Sequence, residues 1–478
     1  MTFRFVGTVA ILVSTVLTAN IATVQAQTIT TTHTYVMDDR DSKEDARALC
    51  YMAAKRKVLE EAGVLIESAS EVKNLELTKD QITSYAAAIL SVKVVKEEFV
   101  FKNGTLSLMQ TVKADVHMGE VRKRLADILA NKGLQTEIQG QQLQIRQLEE
   151  KVQALSKKLD GAASGSKEEV RKDRDTELVA YFHLDAERGE AVAQYYLGLM
   201  YFLGKGVSRD FAQAVAWFRK AAEQGLADAQ FFLGGMYDMG TGVSQDYVQA
   251  VGWFRKAAEQ GFAHAQNELG SMYAKGAGVL RDDKEAVRWY RHAAEQGNAE
   301  AQLSLGQAYA EGKGVSLDIT QAVVWYRKSA EQGLEEAQYA LGIQYVRSKN
   351  FNQAAAWLRK AAEQELAKAQ LLLGTLYDTG KGVPQDRTQA VAWYRKAAEQ
   401  GLAKAQVSLG LKYAAGMGAP KDYVQAYKWF NLAAANGDTE SIEYRNMMGQ
   451  QITPAQLTEA QRLSREWQEA FEQRQASK

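Results

Sequence analysis

Side chains that commonly carry out catalysis or bind metals are few and scattered in this chain. Cys50 is the only cysteine, and a thiol can act as a nucleophile or as a metal ligand. The five histidines are His33, His117, His183, His264 and His292. None of them has metal-ligand spacing to another histidine or to the cysteine. We therefore predict no metal and no cofactor, and we interpret Cys50 as a small buried hydrophobic residue.

Glycine loops recur in the second half of the chain and superficially resemble phosphate-binding loops. One example is Gly276-Ala277-Gly278. A phosphate-binding loop has a third glycine or a Lys-Ser/Thr pair and follows a strand, whereas these loops have neither and follow predicted helices. The sequence also lacks a serine elbow and a His-Glu helix motif. It therefore predicts a protein that is not an enzyme, since a hydrolase would need a polar triad that the sequence does not display.

The glycine loops belong to a unit that is copied along the chain. A tryptophan marks each copy, at steps of 36 residues except for a single step of 32. These residues are Trp217, Trp253, Trp289, Trp325, Trp357, Trp393 and Trp429. A period of this length indicates small units that stack into a solenoid. Solenoids usually bind partners rather than transform substrates.

Each unit is predicted to be a pair of helices joined by the glycine loop. In the unit at 226–261, the first helix has the apolar stripe of an amphipathic helix. The second helix begins at Asp246, with Gln249 three residues later, which is a typical N-terminal capping pattern. Gly261 supplies the left-handed turn into the next unit. The same capping pair recurs at Asp210/Gln213, Asp282/Glu285, Asp318/Gln321, Asp386/Gln389 and Asp422/Gln425.

The fifth unit departs from this pattern in its loop and in its last turn. It lacks the four-residue glycine loop, yet Asn350 and Gln353 still occupy the capping positions and Trp357 keeps its place. Glu365 replaces the final glycine. We therefore expect a less favourable turn at the end of this unit.

The pattern shared by the units is A-x-A-Q-x-x-L-G-x-x-Y…G-x-G-V…D…A-x-x-W-[FY]-R-K-A-A-E-Q-G. This repeated pattern resembles the Sel1-like repeat family. The resemblance covers residues from about 177 to 473. It implies a mostly α fold, a right-handed α-solenoid of helix pairs similar to tetratricopeptide repeats, with a concave face for protein partners. Bacterial members resemble periplasmic or secreted adaptors. Cysteine-rich relatives have been linked to β-lactam binding, but this chain lacks their cysteines.

Differences between the units indicate where a partner would bind. Positions that stay constant serve the stacking of the repeats, and we assign the tryptophans to this role. We interpret the Arg-Lys pairs of the second helices as a solvated face. A second stripe on the first helices varies, and its predicted partner-binding residues are Tyr195, Leu199, Phe202, Asp228, Phe231, His264, Glu300, Glu336, Tyr339, Lys368 and Lys404. We expect aromatic anchors at Tyr195, Phe231 and Tyr339, and a change from acidic to basic along the stripe. The alternative is that these aromatic side chains pack against the adjacent repeat.

Residues 1–26 are predicted to be a signal peptide. An apolar run from Phe5 to Leu17 follows Arg4, and Val24-Gln25-Ala26 suits cleavage after Ala26. The alternative is an uncleaved anchor. The chain has 58 basic and 58 acidic residues, so no strong field favours nucleic acid. We expect a periplasmic or secreted protein with no integral membrane segment after cleavage.

Residues 27–130 are predicted to form a small α+β domain. The expected elements are a strand at 28–37, a helix at 43–62 ended by Gly63, a helix at 79–90 capped by Thr78, and two strands joined at Asn103-Gly104. Residues 27–120 resemble the N-terminal domain of a flagellar outer-membrane-ring assembly protein, and the stretch Asp45–Val72 carries this resemblance. That resemblance implies a role in envelope assembly and carries no catalytic residues.

Residues 131–160 are predicted to form a coiled-coil helix, because apolar residues repeat in heptads over 134–159. The heptads favour a homodimer, and the alternative is a single helix lying against the solenoid. A linker at 161–174, the solenoid at 175–437 and capping helices at 438–478 complete the chain. The sequence thus predicts an exported adaptor that binds protein or peptide partners. The alternative function is a component or assembly factor of a cell-envelope machine, recruited through the N-terminal domain.

Overall fold

The computed structural model describes residues 27–37, 41–68, 77–102, 105–161 and 167–476. The chain divides into two compact units, one ending at Leu226 and the other beginning at Ala227. The predicted signal peptide, the Asn103-Gly104 turn and residues 162–166 of the predicted linker lie outside the described residues.

The described part of the first unit contains a three-stranded sheet and seven helices. The strands are β1 (Gln27–Val36), β2 (Val92–Lys102) and β3 (Thr105–Val116). The helices are α1 (Lys43–Ser68), α2 (Lys79–Ile89), α3 (Met118–Ala130), α4 (Lys132–Gly161), α5 (Lys167–Glu187), α6 (Ala191–Leu203) and α7 (Phe211–Glu223).

The sheet is antiparallel, with strand order β1-β3-β2. Alternate residues of the central strand β3 are buried, as expected for a strand with one face against a core. Helix α1 covers this face and places Cys50 beside Leu108. Burial raises the pKa of the Cys50 thiol to about 12. The prediction of a buried, unreactive cysteine is therefore confirmed.

Helix α1 continues to Ser68, so the prediction that Gly63 ends it was wrong. A Cβ atom on Gly63 would lie 3.1 Å from Oγ1 of Thr83 on α2. The glycine therefore allows a close approach of two helices rather than a turn. The predicted cap of α2 is confirmed, because the backbone N–H of Gln81 donates to Thr78 Oγ1 at 3.2 Å.

Helices α4 and α5 pack against each other, which changes the interpretation of residues 131–174. Helix α5 begins at Lys167, so residues 167–174 are helical rather than part of a linker. Val170 and Arg174 are buried on this helix, which explains why it forms there. Three residues of the heptad pattern, Ile138, Ile145 and Val152, are buried within the single chain, as the alternative of a helix packed on its own chain expects. The homodimer through 134–159 stays a prediction.

Buried ion pairs join the α+β elements to the first solenoid helices inside this unit. Lys55 Nζ donates to Asp185 Oδ2 at 2.8 Å, and both side chains are almost fully buried. Arg174 Nη1 lies 3.3 Å from Asp41 Oδ1, and both of these side chains are also buried. The α+β elements and the start of the solenoid therefore fold as one compact unit.

The second unit is a series of helix pairs followed by two further helices. Its pairs are α8 (Ala227–Met239) with α9 (Tyr247–Glu259), α10 (Ala263–Lys275) with α11 (Asp283–Glu295), α12 (Ala299–Glu311) with α13 (Ile319–Glu331), α14 (Glu335–Arg347) with α15 (Phe351–Glu363), α16 (Ala367–Thr379) with α17 (Arg387–Glu399), and α18 (Ala403–Ala415) with α19 (Tyr423–Ala435). Helices α20 (Ser441–Gly449) and α21 (Pro454–Ala476) complete it.

The predicted caps and turns of the repeats are confirmed. In each repeat, the residue before the second helix caps that helix, because its side-chain oxygen accepts a backbone N–H of the first turn. The capping residues are Asp210, Asp246, Asp282, Asp318, Asn350, Asp386 and Asp422. In the loop, Gly278 has a φ of 69°, and a Cβ there would lie 2.2 Å from the carbonyl oxygen of Tyr247 in the preceding repeat. Glu365 has a φ of 67°, so the fifth unit keeps the left-handed turn without a glycine.

A buried glutamine of each first helix bonds to second helices on both sides. In the fourth repeat, Gln302 Nε2 donates to the carbonyl of Ala294 at 3.0 Å, in the preceding repeat. Its Oε1 accepts from Gln332 Nε2 at 2.8 Å, at the end of its own second helix. The arrangement recurs at Gln266, Gln338, Gln370 and Gln406. These bonds explain why the repeated phrase keeps A-Q at its start and E-Q-G at its end.

The last helix closes the array in the way the sequence predicts. The backbone N–H of Gln456 donates to Thr453 Oγ1 at 3.3 Å, and Thr453 N–H donates to Gln456 Oε1 at 2.9 Å. Trp467 lies edge-on to Trp429, with ring centroids 6.1 Å apart, and stacks on Phe471 at 4.9 Å. The final tryptophan of the repeats is therefore covered by α21.

Candidate protein-binding surface

Constant polar residues of the second helices are used in contacts between repeats. Arg255 Nη2 donates to the hydroxyl of Tyr273 in the next repeat at 2.8 Å. The same bond joins Arg291 to Tyr309, Arg327 to Tyr345, Arg359 to Tyr377 and Arg395 to Tyr413. A lysine follows Arg255, Arg327, Arg359 and Arg395 and lies over a tryptophan ring, as with Lys256 Nζ at 3.8 Å from the Trp253 centroid. Most of these arginines and lysines are exposed, so the interpretation of the Arg-Lys pairs as a solvated face is confirmed, and the pairs also contribute contacts between repeats.

The tryptophans pack between repeats, as predicted. Trp289 lies against a buried cluster that contains Ala250 and Phe254 of the preceding repeat and Leu269 of its own repeat. Trp325, Trp357, Trp393 and Trp429 pack in the same way. The five from Trp253 to Trp393 are half-buried, and a lysine or arginine covers each ring. These constant residues therefore form the framework of the solenoid.

The predicted anchors in the first repeat are core residues. Tyr195 is 8% exposed and Leu199 is 4% exposed. The Tyr195 ring lies 5.9 Å from that of Phe218 on α7. Their burial corrects the expectation that Tyr195 and Leu199 contact a partner. Phe202 on the same stripe is half-buried beside Phe211, with centroids 5.4 Å apart.

The aromatic residues of the second unit are half-buried and also pack within the array. The Phe231 ring lies 5.3 Å from Phe262 and 6.0 Å from His264 at the start of the next repeat. Tyr339 packs against the cluster that contains Leu358 and Leu373. The alternative that these aromatics pack against the adjacent repeat describes both of them, although each side chain stays partly exposed.

The charged positions of the stripe lie at the surface. His264, Glu300, Glu336, Lys368 and Lys404 are all exposed, and Asp228 is half-buried. The charge changes from acidic in the fourth and fifth repeats to basic in the sixth and seventh. A surface with this pattern can bind an extended partner in a preferred direction through charge complementarity.

Sequence reasoning missed a polar group on α10. Asn267 is 7% exposed, and its Nδ2 donates to Glu268 Oε1 at 3.2 Å and to Glu300 Oε2 at 3.4 Å. Burial raises the pKa of the Glu268 carboxyl, and the nearby Glu300 and Asp238 raise it further. A polar residue at an otherwise apolar repeat position is the sequence signal that could have revealed it.

No group of three or more His, Cys, Asp and Glu in the described parts of the chain is arranged to hold a metal ion. No helix among the described segments combines the length and apolar character needed to span a bilayer.

Comparison with known proteins identifies the repeats. The family model described as Sel1 repeat matches residues 191–226, 227–262, 263–298, 299–334, 335–366, 367–402 and 403–438. The chain belongs to the Sel1 repeat family. These matches have the boundaries of the structural helix pairs, and they bear out the solenoid fold that the sequence predicts.

The chain is also similar to solved structures of Sel1 repeat proteins. A Sel1 repeat protein from Oxalobacter formigenes is 34% identical, with 65% of this chain and 90% of that chain covered and a TM-score of 0.50. A protective antigen of uropathogenic Escherichia coli strains, which displays an SLR fold, is 29% identical, with 91% and 97% covered and a TM-score of 0.34. No curated protein matches the sequence. These comparisons give no support to the flagellar resemblance of the N-terminal segment.

Proposed function

We propose that the chain is an exported, non-enzymatic adaptor that binds a protein or peptide partner along the variable stripe of its first helices. The observation that carries this proposal is a separation of roles within each repeat. The constant glutamine, arginine and tyrosine residues are occupied in contacts between helices, whereas the charges of the stripe stay exposed and differ between repeats. A surface that varies on a constant framework is typical of solenoids that bind partners.

The partner contact is expected to centre on the second unit. Tyr195 and Leu199 are core residues, so the exposed residues available are His264, Glu300, Glu336, Lys368 and Lys404. Half-buried Phe231 and Tyr339 would add apolar area at the edges of this surface. A partner with basic residues toward the fourth repeat and acidic residues toward the seventh fits this pattern.

A charge reversal tests the proposal. The variant Glu300→Lys/Glu336→Lys changes the sign of the acidic part of the stripe. The matched control, Glu295→Lys/Glu331→Lys, makes the same change at exposed positions on the second helices. Partners captured from a cell-envelope extract by the wild type should be retained by the control and lost by the stripe variant. Purified partners should bind the stripe variant about tenfold or more weakly, since like charges at an interface cost several kcal/mol. Equal binding by both variants would refute a role for the stripe.

The alternative function is an assembly factor recruited through the N-terminal domain. Its test should use a point substitution, because deleting the domain would disturb the rest of the first unit. Removing residues 27–130 would leave Asp185 buried without Lys55 and would disturb the first repeats. A useful variant changes an exposed residue of that domain, such as Phe101→Ser on β2, because this side chain is 72% exposed. Loss of envelope assembly in that variant, with the stripe intact, would favour the alternative.

A further inference from the structure

The two edges of the three-stranded sheet differ in how they are protected from pairing with another strand. Strand β2 forms one edge, with an irregularity between Val94 and Lys96 and the charged side chains of Lys93, Lys96, Glu97 and Glu98. Strand β1 forms the other edge, and its ten residues include no Lys, Arg, Asp, Glu or Pro and pair with β3 in an unbroken register. Charges, prolines and bulges keep sheet edges from pairing, so β1 is the unprotected edge.

The backbone of β1 presents hydrogen-bonding groups on its outer side. One residue beyond the strand, the N–H of Met37 donates to the carbonyl of Leu106 on β3 at 3.0 Å. Because successive strand residues direct their N–H and C=O groups to opposite sides, the odd-numbered residues of β1 bond to β3 and the even-numbered ones point outward. Among the described residues, no strand pairs with β1 on that side. The outward-pointing residues, whose side chains are all exposed, are Thr28, Thr30, Thr32, Thr34 and Val36.

The open face of β1 is self-complementary about Thr32. An antiparallel copy of the strand with Thr32 opposite Thr32 places Thr30 opposite Thr34, twice by symmetry. Threonine pairs directly across two strands stabilise antiparallel sheets through their hydroxyl groups. The sheet already contains such a pair, because Thr32 Oγ1 lies 2.8 Å from Thr111 Oγ1 on β3. The same alignment brings no two like charges together on this face of the strand.

The face of β1 toward α1 matches itself in the same register. The alignment about Thr32 pairs Ile29 with Tyr35, and both side chains are half-buried in the single chain. This pair is of the type without backbone hydrogen bonds, in which side chains approach most closely. Pairs of an aromatic and a β-branched residue are favourable there. One register therefore suits both faces of the strand.

We propose that β1 pairs with β1 of a second copy of this chain, antiparallel and with Thr32 on the two-fold axis, so that two sheets join into one of six strands. This pairing satisfies the outward backbone groups of both edges at once. The second copy of β1 is already held extended by β3, so it loses less conformational entropy on pairing than a flexible peptide would. The inference does not depend on binding along the stripe, and it gives the adaptor two copies of that surface.

Charges placed across the two-fold axis test the proposal and its register. The variant Thr30→Lys/Thr34→Lys sets lysine opposite lysine in the dimer, and Thr30→Glu/Thr34→Glu sets glutamate opposite glutamate. A mixture of the two variants sets lysine opposite glutamate. The control Glu98→Lys changes the net charge by the same amount as the lysine variant, on the same face but on β2, in line with Thr34 through Met109. Sedimentation equilibrium over a concentration series measures the dissociation constants of the purified proteins at low and high salt.

The wild type and the control should dimerise equally, and each double variant alone should dimerise at least about tenfold more weakly. The mixture should recover a dimer at least as tight as the wild type, which also shows that both variants are folded, and salt should reduce these differences. A wild type that stays monomeric, a mixture that does not recover, or a lysine variant that dimerises like the wild type would overturn the inference. The last result would assign the dimer contact to another surface, such as α4. None of these results bears on partner binding by the stripe.

Discussion

The joint in the first unit and the contacts between repeats in the second unit use opposite chemistry. The joint between the α+β elements and helix α5 relies on buried charges, Lys55 with Asp185 and Arg174 with Asp41. Contacts between repeats rely on small apolar side chains and neutral amides such as Gln302. Each interface is well packed, but the two should respond differently to substitution and to pH.

The difference follows from how often each contact must occur. A buried ion pair is strongly dependent on its own partner, since either charge left alone in the interior is very costly. Such a contact suits a joint that occurs once and specifies a unique arrangement. A glutamine bond is neutral, so copies of it can be stacked in every repeat without repulsion between neighbours. The chain thus buries charge where it needs a single match and buries amides where it needs repetition, and the repeated arginine–tyrosine bonds lie at the more exposed surface.

The largest effect is expected at the charged joint. Replacing Lys55 by methionine removes the nearest cation from buried Asp185 and leaves it only Arg188 Nη1 at 3.8 Å, so the free energy of unfolding of the first unit should fall by about 3 kcal/mol. Urea unfolding monitored by circular dichroism and hydrogen exchange of α1 and α5 would measure it. The control Lys172→Met, at an exposed position of α5, should change stability by less than about 0.5 kcal/mol. Equal effects of the two variants would show that the ion pair is not essential to the joint.

The charged joint should also depend on pH through Glu149 of α4. Burial raises the pKa of this carboxyl to about 7, although Arg56 opposes the shift from 3.8 Å. Because the pKa in the folded protein is above the unfolded value, the contribution to stability is complete at low pH and is lost as pH rises through about 7. The loss should reach about 3 kcal/mol. Urea midpoints of the first unit should therefore fall from acidic to alkaline pH.

Glu149→Gln should flatten this pH dependence and make the protein more stable than the wild type at pH values above the shifted pKa. The control Glu150→Gln, at the next and exposed position, should keep the wild-type dependence. A wild-type profile that is flat over this range would show that Glu149 is charged throughout.

The neutral contacts should give a smaller loss. Replacing Gln302 by leucine leaves the Ala294 carbonyl and the Gln332 amide without this partner, at an expected cost of about 1–3 kcal/mol. The variant Gln307→Leu, at an exposed position of the same helix, should be close to neutral. Hydrogen exchange of α11 to α13 would localise the effect. A cost as large as that of Lys55→Met would remove the proposed distinction between the two interfaces.

The sequence predicts the repeats better than the joint, and the reason is physical. A contact copied in every unit, such as the Asp246 cap, recurs as a visible pattern. Lys55 and Asp185 are 130 residues apart and occur once, so no period connects them. The sequence analysis did not predict helix α3. The heptad pattern of α4 would be the same whether a second copy or the chain itself buries its apolar residues, so the pattern alone does not decide between these two.

The candidate surface shows the same limit. Variation between units indicated the stripe, but it did not separate the core residue Tyr195 from the exposed residue Glu300. A variable position can contact either a partner or the neighbouring repeat, and only the packing distance decides between them. The unusual Asn267 became apparent when its burial and bonding were known.

The smallest effect should come from the irregular turn of the fifth repeat and should have the opposite sign. Glu365 adopts a φ of 67° where the other repeats have glycine, and a left-handed conformation costs an L-residue about 1–2 kcal/mol. Glu365→Gly should relieve this strain and keep the bond from Gln400 Nε2 to the backbone carbonyl at 2.8 Å. We expect a gain of about 1 kcal/mol after the greater entropy of glycine in the unfolded chain is subtracted. The same substitution two residues earlier, Glu363→Gly, lies at the end of α15 and should destabilise the protein slightly. Urea unfolding that showed the same sign for both variants would rule out strain at Glu365 as the cause.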